Sequence, residues 1–339
     1  MTAPSSGSQN GATETARPKS AQTAGSARTA RIMETVRNIL AQRSAVVGLI
    51  LLGALAFTAI FADVIAPYGA FDNLNGPGEP GRRAEPCIHA FYELPVLGAW
   101  GCPEDQPQTY LGTDGNSRDI FSRVVYGARI SLPIGPAVVG VAILIGAIIG
   151  AIAGYAGGWS DMGLMRIMDI VLSFPALVLA IAIVTGLRSL DLSLPGVWNL
   201  LWPVIAVVIV SIPLYARLTR SAVLSTREND YVTASRALGE SGTGILRRRI
   251  LPNSLTPLIV AGSLGIATAV LEVAALSFLG LGLSEPWPEW GAMIGRDFNS
   301  IFSRPLLVLS PAFMLTVLVL GFNLLGDGIR DALDPRLNR

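Results

Sequence analysis

The side chains that most often carry out catalysis are scarce in this sequence. Among its 339 residues there is one lysine, Lys19, and one histidine, His89. A nucleotide-binding P-loop needs a lysine directly after a glycine, whereas Lys19 follows Pro18. A serine or zinc hydrolase within the membrane needs histidine in an apolar segment, and His89 lies in a polar one. We therefore expect no enzyme activity, no catalytic residue and no cofactor, so that any ATP used is hydrolysed by another chain.

Two cysteines, Cys87 and Cys102, lie fifteen residues apart in a proline-rich stretch. Outside the cytoplasm we expect them to form a disulfide, which stabilises the fold by about 3 kcal/mol because it constrains the unfolded chain. A metal site made with His89 is the alternative, but its spacing fits no standard ligand pattern. We therefore predict no metal.

Two acids, Glu272 and Asp169, lie in or near long apolar runs. An ionised carboxylate deep in a membrane costs on the order of a few kcal/mol, so Glu272 is a candidate for lining a translocation path. The structural alternative is a neutral or backbone-paired Glu272 near a helix bend. Asp169 follows Arg166 by three residues, a spacing that predicts an ion pair on one helix face.

The elements that must position these residues are apolar helices. Hydrophobic residues make up 51% of the chain and charged residues 14%, and the mean hydropathy is +0.53, whereas a soluble protein has about 25% charged residues. About 20 apolar residues cross a bilayer. We predict an all-α integral membrane protein with six transmembrane helices, the fourth broken near Pro213. The predicted spans are 44–66, 130–155, 170–187, 192–216, 257–279 and 306–325.

The order of segments follows from these spans. Residues 1–43 are rich in Ser, Thr, Ala and Gly and are predicted to be a disordered tail. Residues 67–126 form a long loop with an insertion at 68–109, whose acidic balance makes it a candidate contact for a partner. Five of the six spans lie in a core at 127–326, and 327–339 form a C-terminal tail. Within the second span, Gly146, Gly150 and Gly154 recur every four residues, which predicts close helix packing.

The distribution of basic residues predicts the orientation. With the N-terminus inside, 17 of the 25 Lys and Arg fall on the cytoplasmic side. The outer segments hold three Lys and Arg residues when the 63–129 loop is not counted. This loop is not counted because charges in such a long loop do not determine the orientation of the spans. Both termini are therefore predicted to be cytoplasmic. The net charge of +1 indicates no binding of nucleic acid.

The cytoplasmic segment 217–254 holds seven arginines. Asn229 or Asp230 can cap a helix there, and Gly239 can end it. The apolar positions of this helix are Tyr231, Ala234, Ala237 and Leu238. A loop resting on anionic membrane lipid would also explain Arg247, Arg248 and Arg249.

The residue order DYVTASRALG at 230–239, followed by Pro252 and Asn253, resembles the EAA loop of binding-protein-dependent ABC importer permeases. Thr233 and Ser235 stand where that family usually has Glu and Ala. The resemblance implies a coupling loop at 228–253 that docks on an ATPase. The coupling residues it implies are Tyr231, Thr233, Ala234, Ser235, Ala237, Leu238, Gly239, Leu251 and Pro252.

Further motifs resemble the C-type permeases of dipeptide and oligopeptide importers, the DppC/OppC group. They are LGTD at 111–114, RDIFSR at 118–123, SFP at 173–175, LSFLGLG at 276–282 and GDG at 326–328. In that group a glycine usually precedes the Arg118-Asp119 pair, and here Ser117 stands in its place. The resemblance covers residues 43–66 and 110–339.

This resemblance implies a type I ABC importer permease fold in a bacterial inner membrane. The implied partners are a B-type permease, two ATPase subunits or domains, and an extracytoplasmic solute-binding protein. The implied substrate is a di- or oligopeptide, with nickel complexes, glutathione or another small solute as alternatives. An ion-coupled secondary transporter would show inverted repeats and paired charges within its spans, and the sequence shows neither.

Overall fold

A computed structural model describes residues 33, 37–76, 79–91, 100–190 and 195–333. Most of the predicted disordered tail and residues 334–339 lie outside this range. The described part is helical, with two isolated β-bridges, Cys87 to Thr109 and Thr113 to Asp119. Its helices of eight residues or more are α1 Arg43–Ile60, α2 Ile120–Ala156, α3 Gly158–Leu172, α4 Ala176–Arg188, α5 Leu201–Arg227, α6 Asp230–Ala237, α7 Thr256–Phe278, α8 Trp290–Asp297 and α9 Pro305–Leu333.

Five of these helices, α1, α2, α5, α7 and α9, are long and apolar enough to cross a membrane. The sixth predicted span is a bent pair, since α3 and α4 meet at 95°. Pro175, at the bend, has no N–H to donate to a helix, and it also disfavours helical geometry at Phe174. Six spans are therefore present when the bent pair is counted as one, but the third is not a straight helix.

Helix α2 begins earlier than the sequence predicts, at Ile120 instead of 130. The Asp119 carboxylate caps it by accepting hydrogen bonds from the Ser122 backbone N–H at 2.7 Å and hydroxyl at 2.6 Å. The predicted loop 67–126 is therefore too long at its end, because its last seven residues are the first two turns of α2.

The predicted break of the fourth span at Pro213 is wrong. Helix α5 continues through Pro213 to Arg227, and Pro213 is buried. A proline removes one helical hydrogen bond, but in a packed membrane helix neighbouring groups compensate for that loss.

Helices α2 and α5 pack closely along a stripe of glycines. A Cβ atom at Gly146 or Gly154 would lie 2.8 Å or 3.0 Å from atoms of α5, and one at Gly150 would collide with the Ala216 carbonyl oxygen. The predicted close packing is confirmed, and it takes place within this chain. This α2–α5 contact is called the seam below. One hydrophobic core is formed by α2, α4, α5 and α7, and a second is formed by α1, α8 and α9 with α2 and α7.

The last helix extends into the predicted C-terminal tail. Helix α9 continues to Leu333, and in this last part Gly328 lies against Ala45 of α1, where a Cβ atom would be 2.8 Å from the Ala45 nitrogen. The first seven residues of 327–339 therefore belong to the packed helical part of the molecule.

Candidate functional site

The predicted coupling loop begins at the end of α5, and its first element is α6. This helix starts after Asn229, whose backbone is extended at φ −70° and ψ 146°. Asp230 in its first turn and Arg236 in its last complement the helix dipole. The chain reverses at Gly239, with φ +80°, a conformation that glycine adopts without strain. The helix therefore ends where the sequence predicts.

Two side chains that the sequence did not single out as apolar positions attach α6 to the molecule. Val232 is fully buried, and Ser235 is 8% exposed with its hydroxyl donating to the Tyr231 carbonyl oxygen at 2.9 Å. The buried residues that pack with Val232 are Ala151, Val223, Ile245 and Ile250. Val232 and Ser235 are three residues apart, a spacing that places both side chains on one face of a helix and could have predicted this buried face of α6.

The opposite face of α6 is exposed in the part of the chain that the structure describes. Leu238 is 88% exposed and Tyr231 is 41% exposed. Thr233, Ala234 and Ala237 are also exposed. The apolar positions named from the sequence therefore point outward, and small side chains surround one large apolar group. Such a surface can receive another protein.

The return segment closes the base of the loop. It consists of a helical turn at Gly242–Ile245, a π-helical turn at Leu246–Ile250 and a 3-10 turn at Leu251–Ser254. The Asn253 amide donates to the Tyr231 hydroxyl at 3.1 Å and to the Arg249 carbonyl oxygen at 2.7 Å. The Ser254 hydroxyl donates to the Thr226 hydroxyl at 3.2 Å. These bonds connect α6 to the end of α5 and to the start of α7.

The remaining predicted coupling residues, Leu251 and Pro252, lie at this base, where Leu251 is half-buried and Pro252 is exposed. The side chains of Arg247, Arg248 and Arg249 are exposed on the return segment, and Arg249 forms an ion pair with Glu240 at 3.3 Å. The arginines are thus beside the exposed face of α6 and not within its buried base.

Glu272, on α7, faces a cavity of about 280 Å³ between α5, α7 and the α3–α4 bend. Its side chain is half-buried. The other candidate acid, Asp169, forms an ion pair with Arg217 of α5. The predicted Arg166–Asp169 pair is therefore wrong, because α3 packs beside α5 and a basic residue from that helix takes the partner position.

A partly buried polar network at the opposite end of the molecule was not predicted. Arg118 is 4% exposed and lies 2.7 Å from Asp114 and 2.8 Å from Glu285. Arg296 also contacts Glu285, at 2.9 Å. Burial raises the pKa of Glu285, but the hydrogen bond from Arg118 and the charges of Arg118 and Arg296 together outweigh burial, so the net pKa lies below its usual value. The network joins the start of α2 to the segment between α7 and α8.

Glu289 is a second acid in this region that the sequence did not single out. It is 1% exposed and caps α8 by accepting hydrogen bonds from the Gly291 and Ala292 N–H groups, both at 2.8 Å. Burial raises the pKa of Glu289 further than these bonds lower it. Its position as a helix cap indicates a structural role.

The insertion at 68–109 contains a disulfide between Cys87 and Cys102, with a Cα–Cα distance of 5.2 Å. His89 lies nearby, but its Nε2 is 2.8 Å from the Gln106 carbonyl oxygen. Bonded sulfurs are not thiolates and do not bind a metal. Glu85 of this insertion pairs with Arg304, and Asp63, just before the insertion, pairs with Arg129. Ion pairs within the chain therefore neutralise some of the acidic residues that were predicted to contact a partner.

Comparisons with known proteins agree with this arrangement. Residues 146–339 match the family model "Binding-protein-dependent transport system inner membrane component", and residues 32–77 match "N-terminal TM domain of oligopeptide transport permease C". A dipeptide transport system permease protein, DppC, of Alkalihalophilus pseudofirmus is 41% identical over 90% of this chain and 90% of its own length. A glutathione transport system permease protein, GsiD, of Escherichia coli is 40% identical over 84% and 83%.

The structure of the MetNI methionine ABC transporter in an inward-facing conformation is similar in fold. It aligns with a TM-score of 0.52 at 21% identity, over 64% of this chain and 99% of the transporter chain. At this identity the likeness concerns the fold alone.

Proposed function

The chain belongs to the family of binding-protein-dependent transport system inner membrane components, and from this premise we propose that it forms, with a second permease, the path by which an ABC importer takes up di- and oligopeptides. The family is one of multi-pass inner-membrane transport permeases, which is not an enzyme class. Such permeases work with a partner permease, an ATPase and a binding protein. Here the partner permease is of the B type, and two ATPase subunits or domains bind and hydrolyse ATP.

One observation carries the mechanical part of this proposal. Leu238, directly after helix α6, is exposed, while the buried base of α6 packs against α2, α5 and the return segment that leads into α7. In the proposed mechanism the exposed face docks in the ATPase, and closure of the ATPase on ATP moves the base and the spans attached to it. The exposed side chains of Arg247 and Arg248 on the return segment are candidates for contact with anionic membrane lipid.

The proposed substrate is a peptide because a dipeptide transport permease is 41% identical to this chain. Glutathione is the second candidate, since a glutathione transport permease is 40% identical. Uptake of a radiolabelled dipeptide and of labelled glutathione, each measured in cells with and without the gene, separates the two. The proposed orientation, with both termini in the cytoplasm, follows from the positions of the arginines.

Purification of the affinity-tagged chain from its host tests the coupling role. We expect a second permease and ATPase subunits to co-purify. The variant Leu238→Arg places a charge in the centre of the contact and should lower the ATPase yield about tenfold or more, since a central apolar side chain can contribute 2 kcal/mol or more to binding. The matched control is Phe302→Arg, because Phe302 is 99% exposed but lies at the opposite end of the molecule.

A second variant separates docking from transmission. Gly239→Pro cannot keep a φ of +80°, because proline fixes φ near −65°. We expect this variant to enter the membrane and to hydrolyse ATP without peptide uptake. Unchanged uptake together with full ATPase co-purification in both loop variants would contradict the coupling role.

A further inference from the structure

The cavity beside Glu272 is formed where four helices come together inside the membrane-spanning part of the chain. Phe174 and Ala176 at the α3–α4 bend form one side, and Ser211 and Tyr215 of α5 form another. Helix α7 contributes Thr268 and Glu272, which are four residues apart and therefore lie on one helix face. With a volume of about 280 Å³, the cavity is near the lower limit for small-molecule sites, roughly 300 Å³.

The chemistry of this cavity is asymmetric. Its polar lining groups are the hydroxyls of Ser211, Tyr215 and Thr268 and one carboxylate, while no Lys, Arg or His lines it. Among the described residues, the Glu272 carboxylate has no ion-pair partner and accepts no hydrogen bond from another protein group. In contrast, Asp161 and Asp169 of α3 are paired with arginines of α5. Glu272 is thus a carboxylate in an apolar setting whose partner the described chain does not supply.

We propose that Glu272 recognises the free α-ammonium group of a peptide as the peptide passes through the permease. This inference rests on the proposed function, and it adds which chemical group of the substrate this chain binds. An ammonium group donates three hydrogen bonds, and the Glu272 carboxylate and the hydroxyls of Ser211 and Tyr215 provide acceptors. A charged hydrogen bond in a site of low dielectric constant is stronger than one in water, so a single carboxylate suffices to orient a small peptide.

The same asymmetry determines the direction in which the peptide lies. A dipeptide carries a carboxylate at its other end, and this cavity offers no basic group to that end. The peptide carboxylate therefore points away from Glu272 and finds no basic partner among the residues that line this cavity. Peptides with a blocked amino terminus lose the contact with Glu272.

The test uses an engineered thiol as a probe of charge in the cavity. The described part of the chain has no free cysteine, because Cys87 and Cys102 are bonded. In the whole importer complex in nanodiscs, Thr268→Cys is labelled with a cationic and an anionic methanethiosulfonate reagent, and the mass of this chain is followed. The ratio of the cationic to the anionic rate should fall about tenfold or more when Glu272→Gln is added, because the carboxylate attracts one reagent and repels the other. An unchanged ratio would overturn the proposal.

Peptide protection tests recognition of the ammonium group itself. At millimolar concentration, a dipeptide should slow the labelling of Thr268→Cys several-fold, while its N-acetyl derivative should not. Adding Glu272→Gln should remove the protection, and adding Glu272→Asp should retain part of it. Equal protection by both peptides would rule out ammonium recognition. Co-purification of the ATPase with each variant is measured in parallel, so that failure of this inference is distinguished from failure of the importer assignment.

Discussion

At the scale of single residues, the turn before α2 holds a non-glycine residue in a left-handed backbone conformation. Ser117 has φ +59° and is fully buried, and its backbone carbonyl accepts a hydrogen bond from the Leu74 N–H at 2.7 Å. The related permeases usually place glycine at this position, as the resemblance implies. The left-handed turn is therefore kept here with a serine, at the cost of the steric strain that a Cβ atom brings.

Replacing Ser117 with glycine should stabilise the protein. Ser117→Gly relieves about 1 kcal/mol of left-handed strain and removes a buried hydroxyl that has no hydrogen-bond partner within the described residues. We expect the midpoint of thermal unfolding to rise by a few degrees, measured by fluorescence in detergent. The matched control is Ser131→Gly. Ser131 is also buried, but its hydroxyl accepts a hydrogen bond from the Trp290 N–H at 3.3 Å, so this change should lower the midpoint.

The network around Glu285 predicts a pH dependence. Because Arg118 keeps the folded-state pKa of Glu285 below its ordinary value of 4.5, the stability from this carboxylate is present above about pH 4.5. It is lost as the pH falls through the lower folded-state value. Glu285 is 43% exposed, so we expect Glu285→Gln to cost at most about 1 kcal/mol at pH 7.

The thermal midpoints of Glu285→Gln and the unchanged protein should therefore converge as the pH is lowered below 4.5. Glu104→Gln, at an exposed position, serves as the control and should follow the unchanged protein at every pH. A difference between Glu285→Gln and the unchanged protein that stayed constant from pH 7 to pH 3.5 would argue against a charge contribution.

At the scale of elements, the α2–α5 seam holds the helices in position between the coupling loop and the opposite end. The seam depends on glycine because backbone atoms of α5 occupy the space that a side chain on α2 would need. Helix α6 follows directly from α5, and its buried residues pack against the end of this seam. A displacement of α6 is therefore expected to move α2 and α5 as a unit.

Two glycines of α2 give a matched test of this packing. Gly150→Leu should disrupt the fold, because its Cβ atom would collide with the Ala216 carbonyl oxygen and lie 2.7 Å from the Thr219 Cβ. Overpacking of this kind costs about 3 kcal/mol or more. Gly140→Leu should be tolerated, because no atom lies within 4 Å of a Cβ placed there. Size-exclusion profiles of both variants measure the effect, and equal profiles would contradict the role of the seam.

At the scale of the whole molecule, the two ends of the helical bundle differ in structure. One end carries the α6 loop and its exposed arginines, whereas the other carries the disulfide, the Arg118 network and helix α8. This division matches the proposed orientation, in which the disulfide faces the oxidising exterior and the α6 loop faces the cytoplasm.

Labelling of engineered thiols in intact cells tests this orientation. A membrane-impermeant maleimide should label Phe302→Cys in intact cells, and it should label Thr243→Cys only after permeabilisation. Both positions are exposed, so accessibility within the protein does not distinguish them. Labelling of Thr243→Cys in intact cells would place the α6 loop outside and contradict the coupling proposal.

The amino-acid sequence by itself determined the features that depend on local properties of the chain. Apolar runs located the six spans, and Gly239 located the end of α6. Asn229 precedes the first residue of α6, but its side chain forms no capping hydrogen bond. The spacing of Gly146, Gly150 and Gly154 indicated a close helix contact. Each of these signals lies within one segment, so it can be recognised without knowledge of how segments meet.

Only the tertiary structure decided the pairings between distant segments. It placed Arg217 beside Asp169, connected Arg118 with Glu285, and turned Val232 inward while Leu238 points outward. It also kept α5 straight enough to continue through Pro213. These outcomes depend on which helix packs against which, and a partner far along the chain can satisfy a charge or compensate for a lost hydrogen bond. The sequence therefore revealed that Glu272 is unusual, whereas the packing of α3, α4, α5 and α7 created the cavity that Glu272 lines.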